Sequence, residues 1–146
     1  MGIMSMTATV PANYKPTEKE TYMSPVMLAY FKNKLQLWKQ EIVKEADDLL
    51  HELQEEGGMQ EPDITDRASI ETEVALEFRT RDRQRKLIGK IDEALERIER
   101  GEYGFCEETG EPIGVKRLEA RPVATLSVEA QERHERLERT HRDERE

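Results

Sequence analysis

Residues 25–56 read PVMLAYFKNKLQLWKQEIVKEADDLLHELQEE, and this stretch decides the fold. Its apolar side chains recur at steps of three or four residues, which is the spacing of one helix face and close to a coiled-coil heptad. The members of this stripe are Leu28, Phe31, Leu35, Trp38, Ile42, Ala46, Leu49 and Leu53. Ser24 followed by Pro25 is typical of a helix start, and Gly57-Gly58 is typical of a helix end. The pattern predicts a helix over residues 24–56.

A second stripe of the same kind follows a loop over residues 57–65. Its members are Val74, Phe78, Arg81, Arg85, Ile88, Ile91, Leu95 and Ile98. Gly101 then provides a stop signal. A short loop between two helices of similar length predicts that the helices pack antiparallel as a hairpin. Because two arginines interrupt the second stripe, we expect a polar middle of the seam, with Glu41 and Glu45 as their partners.

Turn-forming residues divide the rest of the chain. Residues before the first helix show no periodicity, and glycine and proline recur after the second helix, which predicts an irregular module there. Ser127 then caps a final helix. The predicted fold class is mainly α, with a flexible leader (1–23), an antiparallel coiled coil (24–100) with an acidic tip (57–68), a small globular module (101–126), and a C-terminal helix and tail (127–146).

The composition narrows the function classes. The chain has 146 residues and a formal net charge of −9, so nonspecific binding to nucleic acid or to an anionic membrane surface is disfavoured. Its single cysteine, Cys106, excludes an intrachain disulfide and fits a reducing compartment. We find neither a signal peptide nor an apolar run long enough to span a membrane, so we expect a cytoplasmic protein. P-loop and G-x-S-x-G motifs are also missing, and we therefore expect a binding regulator and not an enzyme.

Acidic residues cluster where the hairpin turns. They are Glu55, Glu56, Glu61, Asp63, Asp66 and Glu71. One interpretation is a solvated loop in which Asp63 or Asp66 caps the second helix. The other is that the hairpin carries paired carboxylates to a metal ion or to a basic cleft in a partner, since hard cations favour carboxylate oxygens. Asp63 and Asp66 alone cannot complete a metal site, so any metal would be shared.

Two further clusters also allow a plain interpretation. Four basic residues share one helix face, which is either solvated and paired with glutamates or a contact surface for an acidic partner or a phosphorylated ligand. They are Arg79, Arg83, Lys86 and Lys90. Structural zinc takes four Cys or His ligands, whereas His134 and His141 lie about 10 Å apart along the final helix. We therefore expect Cys106 to be a packed side chain and not a metal ligand.

Four segments in order resemble one known family. They are Pro62–Ala68 (PDITDRA), Arg79–Ile88 (RTRDRQRKLI), Tyr103–Cys106 (YGFC) followed by Gly110 and Ile113, and Arg117–Pro122 (RLEARP). Together they are similar to the DksA/TraR family of bacterial transcription factors, and the likeness spans nearly the whole chain. The resemblance implies a long antiparallel coiled-coil hairpin, a small zinc-finger-like globular module and a C-terminal helix.

The resemblance also implies a mechanism. Proteins of this family bind RNA polymerase directly, without binding DNA, and their coiled coil enters the polymerase secondary channel. The tip then modulates transcription initiation, often together with the stringent-response alarmone guanosine tetraphosphate (ppGpp). The matching residues are Asp63, Asp66 and Ala68 at the tip, Arg83 for polymerase binding, and Leu87, Lys90 and Arg121 for the alarmone.

The chain departs from the family pattern at two places. The four zinc-binding cysteines of the family correspond to Cys106, Thr109, Ser127 and Ala130, so three ligands are missing and we expect no zinc. A family lysine corresponds to Gln131, and its loss would weaken phosphate binding by about 1–2 kcal/mol. We expect a monomer without a bound cofactor, with RNA polymerase as its partner and ppGpp as its effector.

Two alternatives stay open at this point. A transcript-cleavage factor of the Gre type also uses an acidic coiled-coil tip, although such proteins begin with their hairpin and end with a different globular domain. A coiled-coil scaffold or dimerisation module would instead associate with itself through the seam and would not bind polymerase.

Overall fold

The computed structural model describes residues 10–57 and 64–145 of the chain. These ranges contain four helices, α1 (Pro25–Gly57), α2 (Ile64–Arg100), α3 (Val115–Ala120) and α4 (Val128–Arg145). They contain no strand, and Phe105 and Pro112 form an isolated antiparallel bridge. None of the described helices carries an apolar stretch of the length needed to cross a membrane. The predicted fold class is confirmed, because α1 and α2 form a long antiparallel hairpin and the remaining helices belong to a small module and a C-terminal segment.

Two serines start helices, as the sequence predicted. The Ser24 hydroxyl accepts a hydrogen bond from the backbone N–H of Met27 at 3.3 Å, at the start of α1. The Ser127 hydroxyl accepts one from the backbone N–H of Ala130 at 3.2 Å, at the start of α4. Each serine thereby satisfies a donor that has no partner within the first helical turn.

The chain folds as two compact units, which we call the body unit (residues 1–35 and 93–146) and the hairpin unit (residues 36–92). The described part of the body unit holds most of the buried apolar side chains. Its core consists of Met27, Ala29, Phe31, Leu35, Ala94, Ile98, Tyr103, Cys106, Ile113, Val115, Leu118 and Ala130. In the hairpin unit, Ile42 and Ile91 are the buried apolar residues among those described. A pair of helices covers only one stripe of each, so its core stays thin.

The seam of α2 does not follow the predicted stripe over its first half. Ile91 and Ile98 are buried as predicted, but Phe78 is 66% exposed and Val74 is 36% exposed. Counting back from Ile98 in heptad steps of three and four residues reaches Ala94, Ile91, Leu87, Gln84, Thr80 and Glu77, all of which are buried or half-buried. The prediction that Val74 and Phe78 lie in the seam was wrong. The seam continues at strict heptad spacing into the first half of α2, whereas the apolar residues there occupy positions outside it.

The expected arginine–glutamate pairs across the seam are also absent among the described residues. Arg81 is half-buried and Arg85 is exposed, and neither pairs with Glu41 or Glu45 there. The ion pair that joins the two helices is Lys39 Nζ to Asp92 Oδ1 at 2.7 Å. Among the polar residues of the seam, Gln84 has an amide oxygen that is buried without a hydrogen-bond partner.

Candidate functional site

The acidic tip lies at the start of α2. This helix begins at Ile64, so Asp66 occupies its first turn, where the free backbone N–H groups and the helix dipole favour negative charge. Asp63 lies outside the described residues, and of Asp66 only the backbone is described. Ala68 follows in the next turn and is exposed, and its carbonyl accepts a hydrogen bond from the Thr72 hydroxyl at 2.9 Å.

The basic face of α2 is exposed to solvent. It consists of Arg79, Arg83, Lys86 and Lys90. Lys86 forms an exposed ion pair with Asp82 at 3.1 Å, one helical turn away, and such pairs contribute little to stability. Arg83 is exposed and directly precedes the seam residue Gln84. The exposure of this face leaves both interpretations open, a solvated surface and a contact surface for an acidic or phosphorylated partner.

The three residues matched to the alarmone site differ in their environment. Leu87 is half-buried and Lys90 is exposed, and both belong to the hairpin unit. Arg121, in the body unit, is exposed and ends α3, where its backbone N–H donates to the Arg117 carbonyl at 2.7 Å. Arg121 lies beside Lys116 on the wall of a shallow groove at the surface of the body unit. Gln131 is half-buried in α4.

The module between α2 and α3 is held by arginine and backbone hydrogen bonds. Arg97 donates to the carbonyls of Glu102 at 3.1 Å and Phe105 at 2.8 Å, and its guanidinium pairs with Glu107 Oε1 at 2.8 Å. Only 11% of the Arg97 side chain is exposed. Sequence reasoning missed this residue. The available signal was an arginine one turn before the Gly101 stop, where a cation can satisfy carbonyls beyond a helix end.

Residues 10–23, assigned from the sequence to a flexible leader, make specific contacts with the module. The Tyr22 hydroxyl donates to the Gly104 carbonyl at 2.6 Å and accepts from the Gly114 N–H at 3.0 Å. Its ring packs edge-on against Phe105, with the ring centroids 5.5 Å apart. Gly104 has a φ of 92°, a conformation that favours glycine, and a Cβ there would lie 2.8 Å from Met23 Cε. Burial raises the pKa of Tyr22, which keeps its hydroxyl protonated as a donor.

The leader also carries a tyrosine–glutamate pair. Tyr14 donates its hydroxyl to Glu20 Oε1 at 2.7 Å, and its ring packs edge-on against Tyr30 with the centroids 5.8 Å apart. Burial, followed by the contact with Glu20, raises the pKa of Tyr14 to about 12. The hydrogen bond from Tyr14 and that from the Thr17 N–H lower the pKa of Glu20. The pair thus stays a neutral phenol against a carboxylate at physiological pH.

The four positions matched to zinc ligands come together but do not fit the metal. Cys106 is 3% exposed, and Thr109 and Ser127 lie beside its thiol, while Ala130 is buried one turn into α4. The described residues hold no group of three or more His, Cys, Asp or Glu side chains that could bind a metal. One thiol, two hydroxyls and a methyl group do not replace the four Cys or His ligands of structural zinc.

Hydrogen bonds surround the Cys106 thiol, which lies at the position of a family zinc ligand. Burial alone would raise the pKa of the Cys106 thiol, but hydrogen bonds from the Thr109 hydroxyl and from the backbone N–H groups of Ser127, Thr109 and Glu108 lower it to about 6. The backbone N–H of Cys106 donates to the backbone carbonyl of Glu111 at 2.8 Å. His134 on α4 pairs with Glu108, which lies in the turn that starts at Cys106. These contacts tie the turn that starts at Cys106 to the beginning of α4.

Two family models match consecutive parts of this chain. The family model described as DnaK suppressor protein DksA, N-terminal domain, matches residues 27–98, and that of the prokaryotic dksA/traR C4-type zinc finger matches residues 101–136. The RNA polymerase-binding transcription factor DksA of Caulobacter vibrioides is 61% identical over 94% of this chain and 98% of its own length. Its Escherichia coli K12 counterpart is 40% identical over 88% of this chain and 83% of its own length. The solved structure of transcription factor DksA2 from Pseudomonas aeruginosa has 43% identity and a TM-score of 0.74, covering 81% of this chain and 90% of that one.

Proposed function

This chain belongs to the DksA family of transcription factors, and from that premise we propose that it regulates transcription initiation by binding RNA polymerase directly through the secondary channel. The proposed targets are ribosomal RNA and stringent-response genes, and the proposed effector is ppGpp. As a member of a family of transcription factors, the chain is not an enzyme. We propose that it acts in the cytoplasm, where its partner works, as a monomer that does not contact DNA.

The length of the two hairpin helices is the observation that carries this proposal. α1 has 33 residues and α2 has 37, which at 1.5 Å per residue correspond to about 50 and 55 Å of helix. Residues 58–63, which connect the two helices in the sequence, lie outside the described residues, and Asp66 lies in the first turn of α2. Within the proposed mechanism, Asp63, Asp66 and Ala68 would act inside the polymerase, where the carboxylates meet a metal ion or basic residues of the partner.

Arg83 is the residue that we propose for binding polymerase. Because it is exposed, replacing it should remove a partner contact and leave the hairpin packing intact. An arginine at such a place can pair with a partner carboxylate through two hydrogen bonds. The exposed Arg79, on the same face, provides a matched control for the loss of one positive charge.

For ppGpp we propose contacts by Leu87, Lys90 and Arg121 in the polymerase complex. The exposure of Lys90 and Arg121 supports this role, because a phosphate ligand needs cations that are free to approach it. Gln131 supplies no charge at the position of the family lysine. We therefore propose that Gln131→Lys strengthens the response to ppGpp, and a response equal to that of the wild-type protein would contradict this role for position 131.

We further propose that the module folds without zinc. The thiol, hydroxyl and methyl side chains at the four matched positions support this, as do the hydrogen bonds around Cys106. A chelator should leave the thermal unfolding temperature unchanged, measured beside a zinc-binding relative that does lose stability. A fall in the unfolding temperature of this chain on metal removal would overturn the proposal.

The decisive experiment is in vitro transcription from a ribosomal RNA promoter by purified polymerase, with and without ppGpp. We expect the chain to change transcript yield and ppGpp to strengthen the change. Release of short 3′ fragments from stalled complexes would instead favour a cleavage factor of the Gre type. Absence of any polymerase binding would favour a scaffold.

Substitution at the tip separates binding from regulation. We expect Asp66→Asn to abolish the effect on transcription while the affinity for polymerase stays within about twofold of the wild-type value, because one tip carboxylate acts after docking. Glu73→Gln removes an exposed carboxylate on the same helix and serves as the control. Parallel loss of binding and regulation in Asp66→Asn would contradict a special role for the tip.

A further inference from the structure

Arg121 has an exposed side chain on a backbone that hydrogen bonds fix on both sides. Its N–H donates to the Arg117 carbonyl at 2.7 Å, and its carbonyl accepts from the Ala124 N–H at 3.0 Å. Pro122 follows Arg121 directly, and its carbonyl accepts a hydrogen bond of 2.8 Å from the hydroxyl of the buried Tyr103. The backbone at Arg121 therefore has little freedom, although the side chain that it carries is exposed.

Lys34 of α1 holds the chain on the other side of Arg121. Its ammonium donates to the carbonyl of Glu119, two residues before Arg121, at 3.1 Å, and it lies 3.3 Å from Oε2 of the Glu119 carboxylate. Tyr30, one turn before Lys34 on α1, lies beside the same carboxylate. Burial, and after it the contact with Glu119, raise the pKa of Tyr30 to about 12. Thus α1 contacts the last turn of α3 through both a backbone group and a side chain.

The short helix α3 depends on such contacts. It has only six residues, and isolated helices of that length do not form in water. Gly114, at its N-terminus, provides no side chain to cap it. The direction in which its last turn points is therefore set by the rest of the body unit. Lys34 and Tyr103 supply this support across 85 and 19 residues of sequence.

We propose that Lys34 and Tyr103 are positioning residues for the response to ppGpp, because they fix the backbone that carries Arg121. This inference rests on the proposed function, in which Arg121 contacts ppGpp in the polymerase complex. A guanidinium on a fixed backbone loses less freedom when it binds a phosphate, so the ligand binds more tightly. Neither positioning residue acts by touching ppGpp, since Tyr103 is buried and the Lys34 ammonium is paired with Glu119.

The dependence of in vitro transcription on ppGpp concentration tests the role of Lys34. Lys34→Met removes the ammonium and keeps an apolar stem, so the ppGpp concentration for half the maximal response should rise about three- to tenfold. Regulation without ppGpp and the affinity for polymerase should stay within about twofold of the wild-type values. Lys34→Arg keeps a donor and should restore most of the response.

Lys39→Met is the matched control. It removes the same charge from α1 and breaks the ion pair of Lys39 with Asp92 in the hairpin unit. It should leave the dependence on ppGpp concentration unchanged. Equal effects of Lys34→Met and Lys39→Met would overturn the proposal, as would a loss of regulation by Lys34→Met that is the same with and without ppGpp.

Tyr103→Phe separates positioning from charge, because it removes only a hydroxyl group. It should raise the half-maximal ppGpp concentration in the same direction as Lys34→Met, with folding checked by circular dichroism. An effect confined to Lys34→Met would contradict the proposal, since the loss of one positive charge would then explain it.

Arg121→Ala distinguishes this inference from the proposed function. If Arg121→Ala weakens the ppGpp response and Lys34→Met does not, the positioning role is wrong and the proposed role of Arg121 stands. If Arg121→Ala leaves the ppGpp response unchanged, the proposed role of Arg121 is itself wrong, and the positioning role falls with it.

Discussion

The body unit and the hairpin unit use their side chains in opposite ways. In the body unit, apolar residues fill a core around Phe31, Tyr103 and Leu118, and side chains such as Tyr22 and Arg97 hold backbone groups of the module. In the hairpin unit, the seam includes Gln84 with an unpartnered oxygen, while Phe78 lies in water. Close packing of apolar side chains holds the body unit together. The hairpin unit instead leaves many of its side chains exposed to solvent, where a partner could contact them.

The largest expected effect contrasts two phenylalanines. Phe31 is fully buried in the body unit, so Phe31→Ala should lower the free energy of unfolding by about 3–5 kcal/mol through lost burial and a cavity. Phe78→Ala should change it by no more than about 0.5 kcal/mol, since the ring is mostly exposed. Urea unfolding at low protein concentration measures both. Equal losses would mean that the two units are packed alike.

Removal of one hydroxyl group tests the contacts of the leader. Tyr22→Phe should lower the free energy of unfolding by about 1–2 kcal/mol, because the half-buried Gly114 N–H loses its acceptor. Tyr14→Phe removes a hydroxyl whose acceptor, Glu20, can turn to water instead, and it should have a smaller effect. The measurement is again urea unfolding. A larger effect of Tyr14→Phe would show that the leader is not anchored through Tyr22.

Replacement of Gln84 in the seam should raise the free energy of unfolding, whereas the preceding substitutions lower it. Gln84→Leu removes a buried unpartnered oxygen and adds apolar contact across the seam, so it should raise the free energy of unfolding by about 1 kcal/mol. Arg79→Leu, at an exposed position of α2, is the control and should leave stability nearly unchanged. Destabilisation by Gln84→Leu would indicate that Gln84 has a partner in solution.

A dependence of stability on pH is expected from Cys106. Its folded pKa of about 6 lies below the usual value of 9.0, so the folded state favours the thiolate. The resulting stabilisation is complete above pH 9.0, declines as the pH falls, and is lost below about pH 6. Thermal unfolding over this range should show a wild-type advantage over Cys106→Ser that grows with pH. The ultraviolet absorbance of the thiolate reports the same titration in the folded protein, and an advantage that did not change with pH would contradict the low pKa.

Much of the fold followed from the sequence because local signals agreed with each other. The serines before α1 and α4, the glycine stops and the apolar repeats each have a local physical cause, and the helices begin where those signals lie. The register of the seam could not be predicted in the same way. The seam includes Glu77, Thr80 and Gln84, so counting apolar residues selected Phe78 and Val74, which lie outside it.

The contacts of the module were also beyond the reach of sequence pattern. Tyr22 meets Gly104 and Gly114 across 82 and 92 residues of chain, and no local periodicity encodes such a pairing. For the candidate site, Asp63, Asp66, Ala68, Arg83, Leu87, Lys90 and Arg121 remain predictions from the family resemblance. Their roles depend on a partner surface, and a single chain carries only half of that information.

The uninterrupted heptad from Glu77 to Ile98 sets a length increment by which the hairpin can be extended without changing its seam. Adding seven residues to each helix would keep every seam position in phase and lengthen each helix by about 10 Å. An insertion of one or two residues between Arg83 and the tip would instead rotate the tip about the helix axis relative to Arg83. Insertion of a whole heptad into each helix is therefore a simple way to change the reach of the hairpin while its seam stays in register.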